Sequence, residues 1–246
     1  DNPRCIFIRD GEVIKIPRNT RVVQDKEINE FRFTVKKGDA LILLSDGTIH
    51  AGVGKSMTFG WPWKDIAEFV VRQREHAISS IRLAAAVCEE CDKLYEGKPG
   101  DDTTVAVMQI IDRRPVHLMT GPPVDRDDDE RIISEFMKDE TASRIVSGGT
   151  SATILSRELG RPLKVSMDYT DPEIPPIAYM DGIELVTEGV LTLSRVVDIL
   201  NRFVEKKDLS YDFFKELDKN NGASMLAKIL IEDCTELNLY VGKAIN

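Results

Sequence analysis

Two short acidic runs carry the residues whose types and placement could do chemistry: Ser45-Asp46-Gly47 and Asp101-Asp102-Thr103-Thr104. The first follows the apolar run Ala40-Leu41-Ile42-Leu43-Leu44, and the second leads into Val105-Ala106-Val107. Each therefore sets a carboxylate at the end of an apolar strand, one leaving the strand and one entering it. A side chain there is held by rigid backbone and still faces solvent. Two such carboxylates from neighbouring strands can grip a hard divalent cation, Mg²⁺ or Mn²⁺, which prefers oxygen ligands and keeps several waters. Gly47 and Gly100 allow close backbone approach beside such an ion. Taken singly, each run is also ordinary turn chemistry, because Asp-Gly is a common turn dipeptide and Asp-Asp before a strand can be a solvated turn.

A second candidate lies at Val146-Ser147-Gly148-Gly149-Thr150-Ser151, which links a strand to a helix. Gly148, Gly149, Thr150 and Ser151 would offer free N–H groups and the positive end of a helix dipole to an anion such as a phosphate or nucleotide. The run is neither a Walker A loop nor a G-x-G-x-x-G fingerprint. Its plainer reading is a tight turn with Thr150 or Ser151 as N-cap. The acidic crowd Asp125, Asp127, Asp128, Asp129 and Glu130 reads as charge matched to a helix N-terminus. Cys88 and Cys91 fall three apart in a helix-like run, without the second pair that a structural zinc site needs. His50, His76 and His117 share no ligand spacing, although His50 stands four residues beyond Asp46. Trp61 and Trp63 read as anchors of a helix against a sheet.

The elements that must position these residues follow from periodicity and breakers. A hairpin over residues 4–16 turns at Arg9-Asp10-Gly11-Glu12. Phe31–Val35 alternates as a half-buried strand, and Ala40–Leu44 is apolar enough to be central. Helices are expected over Trp63–Arg74 and Ser79–Tyr95, then the breaker Gly97-Lys98-Pro99-Gly100 and a strand over Thr103–Ile111. The pattern changes near Asp112-Arg113-Arg114-Pro115, which puts a boundary between residues 1–114 and 115–246. Beyond it strands (Val116–Met119, Arg144–Val146, Leu163–Met167, Ile183–Val186, Glu236–Val241) alternate with helices (Asp127–Lys138, Thr150–Leu159, Thr192–Val204, Tyr211–Ile231).

Strand-helix alternation of this kind argues for a small parallel or mixed sheet, with Thr192 capping the helix that begins at Thr192. The fold class expected is therefore α/β: an α+β half-sandwich followed by a small α/β domain.

Composition narrows the partners. The 246 residues carry a formal net charge of -9, with 42% hydrophobic and 30% charged residues. Such a surface repels a phosphate backbone, and the pairs Lys36-Lys37 and Lys206-Lys207 are isolated, so nucleic acid is not an expected partner. No apolar run approaches the roughly 20 residues of a membrane span, and no signal peptide opens the sequence, so the expected location is cytoplasmic.

Together, Leu41-Ile42-Leu43-Leu44-Ser45-Asp46-Gly47 and Gly100-Asp101-Asp102-Thr103-Thr104-Val105-Ala106-Val107 resemble the latter half of the SpoIIE-type branch of the type 2C (PPM) metal-dependent serine/threonine protein phosphatases. Asp1-Asn2-Pro3, the hairpin at Asp10-Gly11 and Lys37-Gly38-Asp39 add to the resemblance, which covers roughly residues 1–112. The resemblance implies a two-sheet sandwich flanked by helices. It also implies a Mn²⁺ or Mg²⁺ pair held in part by Asp46 and Asp101, with Gly47 and Asp102 beside them as supports. Water activated at that centre would hydrolyse phosphoserine or phosphothreonine in a partner protein, with no protein nucleophile.

The first half of that family's domain supplies a further metal-bridging aspartate, and no matching residue stands in this sequence, since Asp181-Gly182 lies too far downstream. The metal site is therefore expected to be incomplete within residues 1–246, with Asp1 read as a cut end. Two other functions stay open. One is a regulatory or interaction module without turnover. The other is a phosphate- or nucleotide-binding protein centred on Gly148, Gly149, Thr150 and Ser151. A half-sandwich would also leave an apolar sheet face, which an upstream segment or a second copy is expected to cover.

Overall fold

Ala40–Leu44 is apolar at every position, and it forms an interior strand of the first unit. The computed structural model describes residues 2–76, 78–167, 171–205 and 211–244. Asp1 and the pair Lys206-Lys207 lie outside them. The chain divides into two compact units, 1–112 and 113–246.

The first unit runs β1 (Ile6–Arg9), β2 (Glu12–Val13), β3 (Arg18–Val23), β4 (Lys26–Phe31), β5 (Ala40–Leu44), α1 (Asp46–Ile49), α2 (Trp63–Arg74), α3 (Ser80–Leu94) and β6 (Val105–Gln109). Its four-stranded antiparallel sheet has the order β2-β1-β5-β6, and β3 and β4 form a separate hairpin. The period of two sends Ile6, Ile8, Ala40, Ile42 and Leu44 to one face. There they pack with Ile66 and Val70 of α2 and Leu83, Val87 and Cys91 of α3. Val105 and Val107 face the same core. On the opposite face Leu43 is 43% and Met108 49% exposed, while Phe7 is covered by Phe33 at 4.7 Å. Trp61 is buried against Phe69 of α2, and the Trp63 indole N–H donates to the Arg4 carbonyl at 2.6 Å, which ties the start of α2 to the segment leading into β1.

Asp39, buried at the entry to β5, accepts from Arg9 Nε at 2.9 Å, Arg9 Nη2 at 2.6 Å and the Lys36 N–H at 2.7 Å. The Arg9 guanidinium holds its carboxyl down to about 2. A depressed carboxylate contributes stability above its unfolded value and loses it as pH falls through the folded one. Asp39→Asn is therefore expected to lower the urea midpoint at pH 7. The gap to the parent chain should close as pH falls from about 4 to about 2, where Asp39 itself becomes neutral. An unchanged gap across that range would contradict this account.

The second unit runs β7 (Pro115–Thr120), a 3₁₀ turn Arg126–Asp128, α4 (Asp129–Met137), β8 (Ser143–Ser147), α5 (Gly149–Leu159), β9 (Lys164–Val165), β10 (Ala178–Met180), β11 (Ile183–Thr187), α6 (Val190–Val204), α7 (Tyr211–Leu217), α8 (Gly222–Lys228), a π-helical turn Ile229–Asp233 and β12 (Glu236–Val241). The sheet order is β12-β7-β8-β11-β10-β9. Its first four strands are parallel, β10 runs antiparallel to both β11 and β9, and the sheet is therefore mixed. Met119 and Val146 on one face pack with Ile133 and Phe136 of α4 and Leu155 of α5. On the other face α8 meets β11, where Gly222 packs against the Thr187 methyl.

Five expectations need correction. Phe31–Val35 is not a strand: Phe31 ends β4, whose partner β3 pairs with it across Gln24-Asp25, and Phe33 instead turns onto Phe7. The strand expected over Thr103–Ile111 pairs only over Val105–Gln109. Tyr211–Ile231 is not one helix, because Asn221 starts a new one by accepting the Ser224 N–H at 2.9 Å. Thr192 caps nothing; the chain enters α6 through Gly189, and Glu188 accepts the Leu191 N–H at 3.1 Å. The same holds at α5, where Gly148 rather than Thr150 or Ser151 occupies the N-cap position.

Candidate metal centre

Antiparallel pairing of β5 with β6 sets Leu44 opposite Val105, so the segments beyond these ends must lie side by side. Ser45 joins them. Its N–H donates to the Thr104 carbonyl at 2.9 Å, its hydroxyl donates to the Asp102 carbonyl at 3.1 Å, and the same hydroxyl accepts the Thr104 N–H at 2.8 Å. Gly47 abuts the second segment so closely that a Cβ there would lie 2.4 Å from the Asp102 carbonyl oxygen. Any side chain would force the two segments apart.

Tyr95, at the end of α3, closes the arrangement from below. Its hydroxyl donates to the Gly47 carbonyl at 2.9 Å. Burial raises its pKa most, and the nearby charges of Asp101, Cys91 and Asp46 raise it further. One phenol thus feels both carboxylates. The loop from Tyr95 to Asp101 is held by Lys55, whose ammonium donates to the carbonyls of Tyr95, at 2.6 Å, and Lys98.

Asp46 opens the single turn of α1 and is half-buried, while Asp101 and Asp102 are exposed. Asp46 Oδ1 accepts the Gly47 N–H at 3.2 Å, and Asp101 Oδ1 accepts the Asp102 N–H at 2.8 Å. Among the described residues neither carboxylate meets a cationic side chain. These two oxygen donors suit one hard cation that retains waters. Among the described residues no group of three or more His, Cys, Asp or Glu side chains is gathered to hold a metal ion, so the donor set for a pair of ions is not met. His50 caps α1 and is exposed.

The other sequence candidates lie elsewhere. Gly148 to Ser151 begin α5 in the second unit. Of the acidic crowd, Asp125 accepts the Asp127 N–H at 3.0 Å and Asp129 pairs with Arg157 at 2.5 Å. Cys91 is buried and pushed up to about 12, while Cys88 is exposed, so the two thiols do not share an environment. Sequence reasoning missed Tyr95 and Lys55; neither type marks a site by itself, and only the fold brings them to the Asp46 and Asp101 segments.

Residues 2–111 match the family model of stage II sporulation protein E (SpoIIE). The first unit is SpoIIE-like. Two solved structures of the phosphatase domain of the cell fate determinant SpoIIE from Bacillus subtilis are also similar to this chain. One, presoaked with Mn, is 19% identical at a TM-score of 0.31 and covers 45% of this chain and 47% of its own. The other is 19% identical at a TM-score of 0.29 and covers 44% and 48%. The match thus spans about half the length of those structures. No curated protein matches the chain. The SpoIIE-like unit has mixed α and β structure. Among the described residues no helix is long and apolar enough to cross a membrane.

Proposed function

We propose that the SpoIIE-like unit supplies the Asp46 and Asp101 side of the centre of a protein serine/threonine phosphatase that uses Mn²⁺ or Mg²⁺. The observation that carries this reading is the Ser45 hydroxyl, which clamps the two carboxylate-bearing segments together at adjoining strand ends. Bound there, the ion would lower the pKa of a coordinated water and offset charge on the phosphoryl oxygens. Asp46 and Asp101 would hold it, Gly47 would admit the close approach of the Asp102 backbone, and Tyr95 would fix the floor. The substrate is a phosphorylated protein. The remaining ligands of a two-ion centre would come from outside the residues described.

The chain itself permits a test by NMR. Substoichiometric Mn²⁺ should broaden the amide resonances of Asp46, Gly47, Asp101 and Asp102 before any others. Asp46→Asn combined with Asp101→Asn should remove that selectivity. Broadening centred on Asp125–Glu130 instead, or broadening indifferent to the double substitution, would overturn the assignment.

A further inference from the structure

The second unit carries a cavity at the carboxyl ends of its parallel strands. The chain winds from β7 through β8 to β11 in one direction, then returns to lay β12 on the far side of β7. The point where the winding reverses is where open α/β sheets leave a crevice for ligands. A cavity of about 240 Å³ lies there, between the ends of β7 and β12 and the helices α4 and α5. Much of its wall is apolar, including Met119, Pro122, Ile132, Ile154 and Tyr240.

Its polar wall includes Asp129 and Arg131 of α4 and, near the start of α5, Ser151. Gly148 reaches a φ of 128°, where L side chains rarely go, and this turns the chain from β8 directly into the helix. No side chain caps α5, and the first helical hydrogen bond runs from the Ala152 N–H to the Gly148 carbonyl at 3.0 Å. The N–H groups of Gly149, Thr150 and Ser151 thus have no partner among the described residues. Ser151 lines the cavity, is 3% exposed, and its hydroxyl is buried without a hydrogen-bond partner. A buried hydroxyl is costly to leave unpaired, and a ligand oxygen would relieve it. Asp129 also lines the cavity, but Arg157 pairs with it at 2.5 Å and offsets its charge.

We infer that this cavity binds a small phosphomonoester with an apolar or aromatic body. The phosphate would sit on the three free N–H groups and the Ser151 hydroxyl, and the body would lie against Ile154, Pro122 and Tyr240. Helix dipole and unpaired donors favour an anion at this end, and the apolar wall favours more than the bare ion. This site is separate from Asp46 and Asp101 and stands or falls without the phosphatase reading.

The test uses ¹⁵N-labelled full chain in EDTA, so that no divalent centre contributes, titrated with phenyl phosphate and separately with inorganic phosphate. Saturable shifts of the Gly149, Thr150 and Ser151 amides are expected, with phenyl phosphate the tighter probe. Gly149→Asp should weaken phenyl phosphate about tenfold or more, because its carboxylate would occupy the same donors. A Cβ at Gly149 meets nothing within 4 Å, and an acidic residue suits a helix first turn, so this variant should stay folded. Absence of saturable shifts at these amides, equal affinity for the two probes, or unchanged binding in Gly149→Asp would each overturn the inference.

Discussion

Asp101→Asn, in a phosphatase domain completed around residues 2–111, is expected to cut Mn²⁺-dependent hydrolysis of a phosphothreonine peptide about a thousandfold. Asp46→Asn should do the same. The reason lies in what the substitution keeps. Asn retains the size of Asp and the oxygen that accepts the Asp102 N–H at position 101, or the Gly47 N–H at position 46. The strand ends and the Ser45 clamp should therefore survive, and only the negative charge and one strong oxygen donor are lost. Loss of several kcal/mol of charge stabilisation in the transition state converts to about three decades in rate. Asp102→Asn is the internal comparison, since it changes an exposed neighbouring carboxylate by the same chemistry. Rates would be measured against Mn²⁺ concentration, with circular dichroism to show that each variant is folded. Parent-like hydrolysis in either Asp46→Asn or Asp101→Asn would remove these residues from the centre.

The parts of the fold that were legible in the sequence are those that local chemistry decides. Ala40–Leu44 is apolar at every position, so it had to be interior, and it pairs on both sides. Ser79 and the periodic run after it gave α3 to within a residue, because the Ser79 side chain accepts the Arg82 N–H. Hairpin β3–β4 was not legible. Both of its strands are almost wholly exposed, so no apolar alternation marks them, and Gln24 and Asp25 turn the chain at φ 51° and 61° without a glycine. The hydrogen bonds around the candidate centre were hidden for another reason. Ser45 with Asp102, and Tyr95 with Gly47, are contacts between residues about fifty positions apart. They exist only once β5 and β6 pair. Likewise the buried hydroxyl of Ser151 gains its meaning from the cavity that β7 and β12 help to form, which no local run of residues discloses.

Gly47→Ala should be a strongly disruptive single-methyl change at the candidate centre. The added Cβ would lie 2.4 Å from the Asp102 carbonyl oxygen, 2.9 Å from its carbon and 3.0 Å from Thr103 Oγ1. Two of these three atoms are backbone, so no rotamer change relieves them. The opposing backbone cannot simply withdraw either, because Ser45 binds Asp102 and Thr104 while Tyr95 holds the Gly47 carbonyl. Overpacking at a site that cannot relax costs about 1–3 kcal/mol. A unit of this size would then melt several degrees lower, at about 4–8 °C per kcal/mol. The methyl would also press the Asp102 backbone, next to Asp101, away from Gly47, next to Asp46. Selective Mn²⁺ broadening of those amides should therefore weaken in Gly47→Ala at a temperature where the unit is still folded. Ser45→Ala separates the two effects, since it removes the hydroxyl clamp without adding bulk. If Gly47→Ala melted like the parent and bound Mn²⁺ equally well, the segments bearing Asp46 and Asp101 would be too loosely apposed to form one side of a centre.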